Sequence, residues 1–121
     1  PKQLVAFFGV DPGVNESGKF RGDRNTMSKR GTRIGRRALY TLALHSVKTT
    51  RNGKETNPIV REFYQNKCES KKKKVALVAV MHKLLNYIFA ILRDQQPYEM
   101  RKPSQHEALH LNKKQYLKSV A

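Results

Sequence analysis

The stretch from Val75 to Leu92 is apolar with few interruptions, and it limits the possible folds more than any other part of the chain. Val75 to Met81 alone has the look of a buried strand. The apolar pattern, however, continues through Leu84, Leu85, Ile88, Phe89, Ile91 and Leu92, which is too long for one strand and suits a buried helix. His82, Lys83 and Asn86 interrupt the run, and a spanning helix would have to bury them in lipid, so a core helix is expected and no membrane partner. With 121 residues, 38% of them hydrophobic, the chain can enclose one modest core. The segment is therefore read as the centre of that core, with Leu85 and Phe89 buried.

Other elements are placed around it by local chemistry. Pro1 to Phe8 reads as a short helix ended by Gly9, with a strand over Leu4–Val10 as the rival reading. In Arg33 to Thr50, the residues Ala38, Leu39, Leu42, Ala43 and Val47 are expected to form a buried face, with Arg33, Arg37, Tyr40, Lys48 and Arg51 on another side. Asn57 followed by Pro58 offers an N-cap and first-turn proline for a helix whose stripe is Ile59, Val60, Phe63 and Tyr64. Pro97 closes the central helix. Pro103 and Ser104 are expected to keep the chain irregular until Asn112, a cap for a short helix over Lys113 to Val120. The expected fold is mainly α: a small helical domain with a central buried helix and a long basic, glycine-rich loop.

A formal charge of +16 exceeds what solubility requires and calls for a polyanion, with nucleic acid the leading partner. No signal peptide is apparent, which points to an intracellular protein. The single Cys68 cannot form an internal disulfide. The four histidines give no zinc pattern, and His106 and His110 have no third ligand signalled, so no metal site is expected.

The charge is densest between Asp11 and Tyr40. Lys19, Arg21, Arg24, Lys29, Arg30, Arg33, Arg36 and Arg37 face little acid there, and the glycines allow backbone N–H groups to approach a phosphate. Ser17 lies in this loop. A serine before glycine is usually only a turn residue, but a hydroxyl among cations is also what nucleophilic attack on a phosphodiester requires. Ser28 and Thr32 suit capping or phosphate contact. Residues alone do not decide between an enzyme and a non-catalytic basic module. A small anionic substrate would not need so extended a cation set.

Taken in order, four runs are more specific than any one of them: SGKFRG after Pro12, MSKRGTRIGRRALY from Met27, NPIVREFYQNK from Asn57, and KKKKVALVAVMHKLLNYIFAILRD from Lys71. Together, from about Leu4 to Tyr98, they resemble the C-terminal domain of bacterial transposases of the insertion-sequence one-hundred-and-ten family, the bridge-RNA-guided recombinases. The resemblance implies that Ser17 is the nucleophile that joins to a DNA strand. It implies that the basic residues hold DNA and guide RNA in the cytoplasm, at the nucleoid, and that the full-length protein is a homo-oligomer. It further implies an N-terminal RuvC-like domain with four acidic residues for Mg2+, outside this chain, so that this part alone binds without recombining and holds no cofactor itself. Residues 1–100 would form the catalytic domain and 101–121 a tail.

Overall fold

The computed structural model describes residues 1–13, 16, 17, 19–21 and 26–120; for residues 16, 17, 20, 21, 110, 113, 117 and 120 the description is of the backbone alone. Five helices carry the fold: α1 (Lys2–Phe8), α2 (Arg33–Val47), α3 (Pro58–Ser70), α4 (Lys73–Asp94) and α5 (Pro103–Val120). Two two-residue strands, β1 (Glu16–Ser17) and β2 (Phe20–Arg21), lie between α1 and α2. The mainly helical class expected from the sequence is observed.

α4 is the hub against which α1, α2 and α3 all pack. By length and hydropathy it is apolar enough to cross a bilayer. In this fold, however, Ala76, Leu77, Val80, Met81, Leu84 and Leu85 are buried, and Leu39 and Ala43 of α2, Val60 of α3 and Val10 belong to the same core. The burial is confined to the first two-thirds of the helix. Phe89, expected in the core, is only half-buried, with the Arg93 guanidinium 5.8 Å from its ring centroid. Beyond Leu85 no α4 residue is fully buried, although Tyr87 and Ile88 still pack partly against the core, and the apolar pattern alone does not reveal where full cover ends.

Local signals set most helix ends. Gly9 adopts the left-handed conformation (φ 62°) after α1 and returns its N–H to Ala6. The Thr32 hydroxyl caps α2 by accepting from Gly35 N at 3.2 Å, and Asn57 caps α3 by accepting from Val60 N at 3.1 Å, with Pro58 in the first turn. α2 stops at Val47, three residues before the expected end, because Thr49 pairs with Glu55 around a turn at Gly53. α4 ends at Asp94, before Pro97, with Gln95 at φ 51°.

Two expectations fail for identifiable reasons. Pro103 starts a helix rather than delaying one. A proline in the first turn loses no intrahelical bond, and the Gln105 side chain accepts the Lys102 N–H at 3.1 Å, so α5 runs unbroken past Asn112. On α2, the buried face is Leu39, Ala43 and Ser46, while Ala38 and Leu42 face outward. α2 carries two apolar stripes, and only one of them meets α4.

Arginines tie successive helices together. Arg36 Nη1 of α2 donates to the carbonyl of Phe8, the last residue of α1, at 3.3 Å. Arg61 Nη1 of α3 donates to the carbonyl of Val47, the last residue of α2, at 2.7 Å, while its Nε lies 3.1 Å from Glu55. In each case a guanidinium meets the negative end of a helix, where a cation stabilises by about 0.3–1 kcal/mol. Tyr98 brings the chain after α4 back, stacking near Tyr87 (5.4 Å) and accepting from Asn57 Nδ2 at 3.0 Å. Among the described residues, α5 packs against no other element.

Candidate nucleic-acid interface

In its described residues, the segment between α1 and α2 is a pinned arm with backbone pairing that its turn-rich sequence does not suggest. Four backbone bonds run across its neck: Thr32 N to Phe7 O (2.7 Å), Lys29 N to Gly9 O (3.0 Å), Ser28 N to Asp11 O (2.8 Å) and Gly13 N to Thr26 O (2.6 Å). Pro12 and Met27 face each other in the same antiparallel sense. Further out, Glu16 pairs with Arg21 and Ser17 with Phe20. Such backbone pairing leaves little side-chain periodicity, so pattern reading does not find it.

Two anchors hold the neck to the core, and a side-chain bond closes it. Val10 is buried at 2% exposure. His82 of α4 lies with Nε2 2.6 Å from the Val10 carbonyl oxygen; the carbonyl can only accept, so Nε2 carries the hydrogen. The Ser28 hydroxyl donates to Asp11 Oδ1 at 2.5 Å. Ser28 thus closes the neck instead of capping α2, and Asp11, the first acid of the loop, is engaged by it. Gly31 serves a close approach: a Cβ there would stand 2.0 Å from the Phe7 carbonyl oxygen and 2.5 Å from Gly9 N. None of these contacts is legible from spacing, since each partner is far away in sequence.

Ser17 sits on β1 opposite its cross-strand partner Phe20, at the outer end of the paired arm. Lys19 is exposed in the turn, and Arg21 stands opposite Glu16 in register. Arg24 lies outside the described residues. Lys29, with φ 56°, and Arg30 are exposed on the neck, and Arg33 and Arg37 are exposed on the first turns of α2. Arg36 differs from them: it is half-buried and bonded to Phe8, a structural role that sequence reasoning did not separate from phosphate binding.

The electrostatics of this region are one-sided. Residues 24–54 contain no aspartate or glutamate. Among the described residues Arg30, Arg33 and Arg37 form no ion pair, whereas Glu55, Asp94 and Glu99 are each paired with an arginine. Lys71 to Lys74 add a second exposed cationic run at the start of α4. No group of three or more His, Cys, Asp or Glu side chains that could hold a metal ion occurs among the described residues.

The model of the transposase IS116/IS110/IS902 family matches residues 1–65, which covers α1, the arm, α2 and the first two turns of α3. The chain belongs to that family. A search of curated proteins gave no match. The matched segment includes the arm with Ser17 and every basic residue singled out above between Lys19 and Arg37, and it ends before the central helix. Membership assigns a transposase-related role and suggests DNA as a partner.

Proposed function

We propose that this chain is the serine-bearing domain of a DNA transposase, with Ser17 the nucleophile and the surrounding cations the phosphate-binding surface. The observation that carries the reading is the placement of Ser17 at the outer end of an arm whose neck is fastened to the core by Val10 and His82 and closed by the Asp11–Ser28 bond. A nucleophile needs a backbone that is held in place, and strand pairing above a pinned neck supplies that.

In the proposed step, the Ser17 oxygen attacks a backbone phosphorus. A serine–phosphate ester forms, one phosphorus–sugar oxygen bond breaks, the hydroxyl proton is lost, and the departing sugar oxygen takes up a proton. Attack of a strand end on that ester restores the hydroxyl and completes exchange. Lys19, Arg21 and Arg24 would stabilise charge on the phosphoryl oxygens, and Lys29, Arg30, Arg33 and Arg37 would hold the flanking DNA and guide RNA. The resemblance puts Mg2+ on acidic residues of another domain and makes the active protein a homo-oligomer. The roles assigned to Ser17 and the cations belong to this chain's own side chains.

The test is Ser17→Ala in the full-length transposase. Strand transfer should be abolished while DNA affinity stays within about twofold, because one hydroxyl among many phosphate contacts contributes little to binding. A covalent protein–DNA adduct should map to Ser17 by mass spectrometry. Retained strand transfer, or an adduct at Ser28 or a tyrosine, would leave the non-catalytic binding module as the better reading.

A further inference from the structure

The outward face of α2 has no partner in the fold. Leu39, Ala43 and Ser46 are buried, and at about 100° per residue Ile34, Ala38 and Leu42 form a separate stripe centred about 100° around the helix from them. Ile34 is 83% exposed and Leu42 44%. With Arg37, Thr41 and His45 they line a shallow open groove. A single exposed leucine needs no explanation, but a continuous stripe on the most basic helix of the chain does.

Charge selects the occupant. Exposed Arg30, Arg33 and Arg37 border the stripe, no acid occurs within residues 24–54, and the positive end of the helix dipole points the same way. A second copy of the chain would bring arginines against arginines on a molecule already at +16. A polyanion with apolar faces fits both halves of the surface, and DNA bases between phosphates have that combination. Thr41 is poorly placed to read base edges by hydrogen bonding, because its hydroxyl donates to the Arg37 carbonyl at 3.1 Å. That favours contact with base faces over base edges.

We infer that α2 is a DNA-distorting element in which Ile34 wedges between two stacked bases, Arg33 and Arg37 hold the flanking phosphates, and Ala38 and Leu42 receive the displaced base. The inference rests on the nucleic-acid reading above and adds a deformation to it. Apolar wedges beside arginines unstack base steps in other DNA-bending proteins by the same physics. Ile34 to Leu42 spans about 12 Å along the helix, roughly three to four nucleotides at about 3.4 Å per strand repeat. Opening the duplex there would present a strained phosphate to the neighbouring arm.

The test uses the whole chain and a set of DNA duplexes carrying 2-aminopurine at successive steps. Binding should raise the fluorescence severalfold at one or two adjacent steps. Ile34→Ser should lose most of that rise, keep Kd within about threefold at low salt and leave the melting temperature unchanged, because its side chain is almost fully exposed. Arg33→Ala and Arg37→Ala should each reduce the slope of log K against log salt by about 1. Salt-dependent binding with no fluorescence rise, or with a rise that Ile34→Ser retains, would overturn the wedge and leave the phosphate surface standing. Absence of salt-dependent DNA binding would overturn both. A self-association or an anionic-vesicle affinity lost on Ile34→Ser, or unstacking of RNA but not of DNA, would show that the occupant is wrong.

Discussion

Gly31→Ala probes whether the arm is fastened to the core. An alanine Cβ at this position would lie 2.0 Å from the Phe7 carbonyl oxygen, against backbone that cannot rotate away. Relief requires α1 and the neck to separate, which weakens the Thr32–Phe7 and Lys29–Gly9 bonds. Two hydrogen bonds at about 0.5–1.5 kcal/mol each, with overpacking of about 1–3 kcal/mol, put the loss near 2–6 kcal/mol. The reduced entropy of the unfolded alanine chain returns about 0.4–1 kcal/mol. A net loss centred on about 3 kcal/mol should lower Tm by roughly 9–18 °C at about 3–6 °C per kcal/mol for a chain of this size. Gly53→Ala is the control: its φ is 78° and a Cβ there meets nothing within 4 Å, so strain alone costs about 1 kcal/mol. Thermal unfolding followed by circular dichroism compares the two, and hydrogen exchange at the Lys29 and Thr32 amides locates the damage. Equal melting temperatures for the two variants, with both amides still protected in Gly31→Ala, would refute the pinned neck.

Other expectations follow from the same contacts. Val80→Ala should cost about 2–4 kcal/mol by chemical denaturation, since Val80 is fully buried on α4, whereas half-buried Phe89→Ala should fall below the roughly 3–5 kcal/mol of a core phenylalanine; the reverse order would misplace the core. Arg61→Met keeps much of the stem but loses the bond to the α2 terminus, and about 1–2 kcal/mol of stability should go with it. Burial lowers the Lys83 pKa below its usual 10.5, so the folded state disfavours its charge. Its stability cost is therefore present at neutral pH and relieved as pH rises through the lowered pKa toward 10.5. The stability difference between Lys83→Met and the parent should shrink over that window, and a difference independent of pH would contradict the assignment.

The helical class, the position of α4 and the caps Thr32 and Asn57 were legible in the sequence because each depends on contacts within a few residues. Periodicity, a capping oxygen and a first-turn proline act locally, so their signals survive in a linear reading. The cation density between Asp11 and Tyr40 was equally plain, and so was the motif order that led to the family. The tertiary structure alone decided which of the two α2 stripes is covered, because 3.6-residue periodicity shows that a face is apolar without showing what meets it. It also separated Arg36, bonded to the end of α1, from Arg33 and Arg37, which remain exposed on the same helix. The arm's neck depended on pairs far apart in the chain, Val10 with His82, Asp11 with Ser28 and Gly31 with Phe7, and such contacts leave no spacing rule to read. They arise only when α1, α2 and α4 have packed and brought distant backbone within hydrogen-bond range.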